Sequence, residues 1–228
     1  MERRTWLKAA ALAPVAAAGC SGGHRPAGQR SGSPAARSPG GRTAPADWNA
    51  LAAGLGGRLV RPSDASYDGA RRLYIPRYDK VRPLGIAYCA GPDDVAECVL
   101  FAARRKMPVA VRCGGHNYAG WSTGEGLVID VSPMAAVEHD DGRATVGAGT
   151  RLVDLYDRLA REGVSVPAGS CPTVGVAGLT LGGGLGVVSR AHGLTCDVLE
   201  SVEIVTADGQ RRVCDGRRDA DLYWACRG

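Results

Sequence analysis

Two short segments hold the side chains best suited to chemistry. Arg112-Cys113-Gly114-Gly115-His116-Asn117 and Gly169-Ser170-Cys171-Pro172-Thr173-Val174-Gly175 each set one nucleophile, His116 or Cys171, among residues too small to cover a large planar ligand. The second segment runs on into Gly178-Leu179-Thr180-Leu181-Gly182-Gly183-Gly184-Leu185-Gly186. Glycine lets a backbone approach a pyrophosphate or a ring closely, and it admits positive φ where N–H groups converge on an anion. Neutral imidazole and thiolate are the side chains most readily alkylated by an electrophilic cofactor.

The elements around these segments can be read from periodicity and punctuation. Pro92 to Lys106 predicts a helix: Pro92 suits the first turn, Asp93 and Asp94 its positive end, and Arg104, Arg105 and Lys106 its negative end. Val95, Cys98, Val99 and Ala102 fall at helical spacing. Val109-Ala110-Val111 predicts a buried strand that delivers the His116 loop at its C-terminal end, where α/β sheets bind ligands. Short strands are expected at Ile86 to Cys89, Leu127 to Val131, Arg143 to Val146 and Val198 to Val205. Ala207-Asp208-Gly209 is a hairpin turn into Arg211-Arg212-Val213. Trp48 to Leu59 and Leu152 to Arg161 read as helices, and Tyr74 to Tyr78 as extended chain because Pro76 biases its predecessor away from helix. The fold class is therefore α+β, without internal repeats.

Composition excludes several function classes. The net charge of +5 suggests a nucleic-acid partner, but seven basic residues and only Glu2 as an acid lie in residues 1–45, so the remainder nets −1. That leaves no electrostatic footprint for DNA or RNA on the globular part. A zinc site is not expected, since Cys113 and His116 are followed by no second ligand pair at zinc spacing. Cys89, Cys98, Cys113, Cys196, Cys214 and Cys226 could form disulfides or serve as small buried hydrophobes. Gly182-x-Gly184 lacks the third glycine and the acidic residue of a dinucleotide fingerprint, and no Gly-Lys-Ser/Thr marks a P-loop. Gly120-Trp121-Ser122-Thr123-Gly124 matches the nucleophile elbow of serine hydrolases, a motif that needs a helix after it, whereas a strand is expected from Leu127. His139 and His192 read as structural.

The paired segments resemble the flavin-binding half of berberine-bridge-enzyme-like oxidases, in the vanillyl-alcohol-oxidase superfamily with a PCMH-type FAD-binding domain. The resemblance implies FAD bound covalently, His116 carrying the flavin 8α-methyl and Cys171 carrying flavin C6. Arg112, Cys113, Gly114, Gly115, Asn117 and Ser122 belong to the implied cofactor site, with Gly114, Gly115 and Ser122 on the pyrophosphate. Gly178, Gly182, Gly183 and Gly184 would line the ring and adenine side, and Gly175 and Ile204 complete the implied set. Val174 would face the oxygen-reactive carbon, where a small side chain resembles the oxidase members. The implied fold is a PCMH-type domain of two small α/β subdomains. The implied reaction is hydride removal from an alcohol or carbohydrate-type small molecule, with dioxygen as acceptor. Asp219-Ala220-Asp221-Leu222-Tyr223-Trp224-Ala225-Cys226-Arg227-Gly228 is similar to a family segment that precedes a large second half. The substrate domain and the usual catalytic base are therefore expected outside this sequence. A non-catalytic flavin-binding chain and a serine hydrolase are the alternatives.

The domain division follows. Residues 1–20 read as a twin-arginine leader, with Arg3 and Arg4, an apolar stretch from Ala9 to Ala18, and Ala17-Ala18-Gly19-Cys20 resembling a lipobox. Residues 21–46 are rich in Gly, Ser, Pro, Ala and Arg and read as a flexible linker. Residues 47–228 read as the PCMH-type FAD-binding domain that the resemblance implies, truncated at its C-terminal end. The expected location is the extracytoplasmic side of a bacterial membrane, with a lipid anchor at Cys20. Twin-arginine export carries folded proteins, which suits a cofactor installed before export.

Overall fold

The computed structural model describes residues 45–228; the expected leader over 1–20 with Cys20, and nearly all of the linker over 21–46, lie outside the described residues. The described residues open with helix α1 (Pro45–Gly54), strand β1 (Arg58–Val60), the short helix α2 (Tyr67–Ala70) and a 3-10 turn at Pro76–Tyr78. Strand β2 (Gly85–Tyr88), helix α3 (Pro92–Arg104), strand β3 (Val109–Arg112) and strand β4 (Leu127–Asp130) follow. Next come the hairpin β5 (Val137–Asp140) and β6 (Arg143–Val146), helix α4 (Leu152–Ala160), and the short helices α5 (Val176–Leu181) and α6 (Ser189–His192). A 3-10 turn at Thr195–Val198, the hairpin β7 (Ser201–Val205) and β8 (Arg211–Asp215), and helix α7 (Ala220–Ala225) end the chain.

The main sheet has the order β1-β2-β4-β3, with β2 and β3 both parallel to β4 and β1 antiparallel to β2. β4 is buried at all four positions, as its continuous Leu-Val-Ile run requires of a central strand. On one face α1 and α3 supply Trp48, Leu51, Cys98, Phe101 and Ala102 against Ala87, Leu127 and Ile129. On the other, Tyr67 of α2 packs with Val60, Ile86, Ala110 and Val128. Asp94, in the first turn of α3, accepts the N–H groups of Gly56, Gly57 and Ala90 at 2.8, 2.9 and 2.8 Å and so ties α3 to the start of β1. A second core gathers Leu152, Leu155 and Leu159 of α4 with Ala168 and Val176, and with Val137 and Val146 of the β5–β6 hairpin.

Four expectations are corrected. β3 is not a buried strand: it lies at the sheet edge, and Val109 and Val111 are 43% and 59% exposed while Ala110 and Arg112 face inward. The first helix stops at Gly54, where the glycines at 54, 56 and 57 end it, and Arg58–Val60 is strand. Ile75 is extended, but Pro76 opens a helical turn because its fixed φ suits a first-turn position. The strand expected from Val198 begins at Ser201, because Asp197 accepts the Leu194 N–H at 2.8 Å and closes a 3-10 turn first.

Candidate functional site

The His116 loop starts from a rigid point. Arg112 and Asp130 are register partners at the C-terminal ends of β3 and β4. The Arg112 Nε donates to Asp130 Oδ2 at 2.6 Å, and both side chains are about one-twentieth exposed. The other Asp130 oxygen accepts the Ser132 N–H at 2.8 Å and the Ser132 hydroxyl. A buried ion pair holds only when its remaining lone pairs are satisfied in this way. Arg112 Nη1 has no hydrogen-bond partner.

The Cys171 turn is pinned from the opposite side. The first amides of a helix have no partner within it, and α4 has no side-chain cap. Instead Leu152 N–H donates to Val174 O and Val153 N–H to Pro172 O, both at 3.0 Å. Val176 N–H donates to Thr150 O at 2.9 Å, and Arg151 pairs antiparallel with Gly175. The turn therefore sits on the N-terminus of α4.

The two loops meet backbone to backbone at Gly114 and Gly175. A Cβ on Gly175 would stand 2.1 Å from Cys113 Sγ and 2.6 Å from Gly114 N; one on Gly114 would stand 2.5 Å from Gly175 N and Thr173 O. Only glycine fits at either position. His116 then reaches across the junction, its Nε2 lying 2.8 Å from Thr173 Oγ1, two residues after Cys171. Tyr74 stacks on the imidazole with centroids 3.9 Å apart and planes 17° from parallel. Burial, and secondarily the Arg151 guanidinium, hold the His116 pKa below its ordinary value, which favours the neutral, nucleophilic ring. Burial, reinforced by Asp130, pushes the Cys113 thiol up to about 11. With its sulfur against Gly175, Cys113 is a packing residue whose side chain is held protonated.

The rest of the loop provides polar groups. Asn117 Oδ1 accepts the N–H groups of Ala119 and Trp121, each at 3.0 Å, so its carboxamide shapes the loop. Ser122 and Thr123 are buried, and Thr123 Oγ1 has no partner. Of the elbow motif's two flanking elements, β3 precedes it but the next element is strand β4, not a helix. Among the glycines of the second segment, Gly178 and Gly182 are exposed, and a Cβ on Gly178 would meet nothing within 4 Å. Gly183 and Gly184 have φ of 97° and 83°, and their carbonyls accept the N–H groups of Cys196 and Thr195 at 2.9 and 3.0 Å. No hydrogen bond among the described residues joins these glycines to the His116 loop, and Ile204 lies half-buried on β7 opposite Arg212. Arg112, Cys113, Gly114, Gly115, His116, Val174 and Gly175 are thus gathered at one junction. Sequence reasoning missed Tyr74, Thr123, Arg151 and Thr173.

The stretch 83–215 of this chain matches the family described as FAD binding domain. The chain belongs to that family. It is 36% identical over 186 residues to the uncharacterized FAD-linked oxidoreductase YgaK of Bacillus subtilis, covering 76% of this chain and 40% of that protein. It is 34% identical over 175 residues to (R)-6-hydroxynicotine oxidase of Paenarthrobacter nicotinovorans, covering 75% and 38%. Among solved structures it is similar to glucooligosaccharide oxidase from Acremonium strictum, described with a 6-S-cysteinyl, 8α-N1-histidyl FAD: TM-score 0.74, 30% identity, 79% of this chain and 39% of that one. The moss protein Physcomitrella patens BBE-like 1 superposes with a TM-score of 0.75 at 33% identity, over 79% and 40%. The chain thus spans about two-fifths of the length of these relatives.

The residues present fit an FAD. Two nucleophile-bearing loops converge, their backbones touch at Gly114 and Gly175, and Thr123 Oγ1 and Arg112 Nη1 are buried polar atoms with unused capacity near the start and end of one loop. Such orphans are costly unless something satisfies them. Among the described residues no group of three or more His, Cys, Asp or Glu side chains could hold a metal ion.

Proposed function

We propose that this chain is the flavin-holding part of an FAD-dependent oxidase in which His116 and Cys171 both bond the isoalloxazine. The observation that carries this reading is the junction of the two loops, with His116 Nε2 2.8 Å from Thr173 Oγ1, two residues beyond Cys171. Bound FAD would supply the redox chemistry, accepting a hydride from substrate and returning electrons to dioxygen. The chain's own residues hold and orient. His116 would carry the 8α position and Cys171 the C6 position. The amides of Gly114 and Gly115, with the hydroxyls of Ser122 and Thr123, would hold the pyrophosphate. The small Val174 side chain would leave dioxygen a way to the ring.

An alcohol or carbohydrate-type substrate is the class we assign, supported by the similarity to glucooligosaccharide oxidase. The leader residues Arg3, Arg4 and Cys20 support export and a lipid anchor on the extracytoplasmic face. Unimpaired export of an Arg3→Lys/Arg4→Lys protein would contradict that assignment. For the flavin, acid precipitation decides: the holoprotein pellet should stay yellow, and free FAD in the supernatant would refute covalent attachment.

A further inference from the structure

We propose that Thr173 is the positioning residue that determines which nitrogen of His116 attacks the flavin. The inference rests on the covalent role of His116 given above. A neutral imidazole has one N–H and one lone pair, and which nitrogen carries which is set by the partner each one finds. Here Nε2 faces Thr173 Oγ1 at 2.8 Å. Tyr74 lies flat against the ring with centroids 3.9 Å apart, so exchanging the two nitrogens requires the rings to unstack. Thr173 is itself held, because the carbonyls on either side of it, those of Pro172 and Val174, accept from the first turn of α4. With Nε2 engaged by the hydroxyl, Nδ1 is the nitrogen left free, and in the tautomer whose proton is on Nε2 it carries the lone pair. Nδ1 is then the nucleophile.

The step balances on these atoms. A C–N bond forms between Nδ1 and the 8α carbon, one 8α C–H bond breaks, and the Nε2 proton leaves through the exposed Thr173 hydroxyl. The two electrons and two protons so released are taken up by the isoalloxazine, and dioxygen reoxidises it. An N1-histidyl link is described for the Acremonium relative; in this chain Thr173 would enforce the corresponding link. The motif around Cys171 thus carries the nucleophile for one bond and the guide for the other.

The test uses the full chain carrying Cys171→Ala, so that only the His116 bond can form. Apoprotein is mixed with FAD, and covalent incorporation is timed by the absorbance of acid-precipitated protein. The attached nitrogen is read from proton–nitrogen correlations in the 15N-histidine flavinyl peptide. The parent and Thr173→Ser should give one Nδ1-linked product at similar rates. Thr173→Val should attach about tenfold more slowly, the size of one lost hydrogen bond, and should yield a mixture of Nδ1 and Nε2 products. Fluorescence titration with FAD verifies that Thr173→Val still binds the cofactor; if it does not, Thr173→Ala is read in its place. A single Nδ1 product at the parent rate from the hydroxyl-free variant overturns the role of Thr173 while leaving His116 attachment intact. A colourless pellet from the parent overturns both.

Discussion

Gly114 and Gly175 meet so closely that a methyl group on either would overlap the other's backbone, with a Gly175 Cβ standing 2.6 Å from Gly114 N. This contact joins a loop that leaves the main sheet to a turn seated on α4, and it brings His116 to Thr173. Gly175→Ala should therefore destabilise the chain by about 1–3 kcal/mol, the usual cost of overpacking, and should slow FAD attachment. Adding Cys113→Ala removes the sulfur clash at 2.1 Å but not the backbone one, so it should restore stability only in part. Thermal melts of the single and double variants check this; a fully restored melting temperature would place the clash in the side chain alone.

Removing one partner of the Arg112–Asp130 pair should be among the most damaging single changes. Arg112→Leu leaves a buried carboxylate with only Ser132 to satisfy it and should cost about 3–5 kcal/mol. Arg112→Leu/Asp130→Leu, which removes both charges, should be less unstable than the sum of the single variants. Urea unfolding of the four proteins gives the coupling, and strict additivity would show that the pair is not an energetic unit.

The His116 ring has a depressed pKa, so it stays neutral to a pH below the ordinary histidine value of about 6.5. Attachment should be fastest above that pKa and should fall as pH drops through it, because protonation removes the attacking lone pair. Arg151→Gln removes one of the two depressing influences, so the pKa rises and the midpoint of the attachment-rate profile should move to higher pH. An unmoved midpoint would show that burial alone sets the value.

Some of this was legible in the sequence and some was not, for reasons that particular residues make plain. The two nucleophiles stand out because each is embedded in glycine, and α3 because its charges follow the helix dipole. Val109-Ala110-Val111 reads the same as a central or an edge strand, since only the sheet order decides that Val111 faces outward. Thr173 stands two residues from Cys171, yet its partner is 57 positions upstream, and no local pattern announces that distance. Tyr74 likewise gains its meaning only when the chain folds it over His116.

Thr123 offers a prediction of a different kind. Its hydroxyl is buried and has no protein partner, so Thr123→Val should leave the melting temperature of the apoprotein almost unchanged or slightly raised. In a His116→Ala/Cys171→Ala background, where FAD binds reversibly, the same change should weaken binding by about tenfold or more, as expected for a lost hydrogen bond to a charged group. Unaltered FAD affinity by calorimetry would remove Thr123 from the pyrophosphate site.

The central claim is that one flavin bridges two loops of the same chain. Proteolysis of the denatured holoprotein cuts between those loops, and mass spectrometry of the yellow fraction shows what the flavin holds together. The account predicts a single species in which one FAD joins the peptide containing His116 to the peptide containing Cys171, reduced to one peptide by His116→Ala or Cys171→Ala. Flavin recovered on neither peptide, or only ever on one, would contradict it.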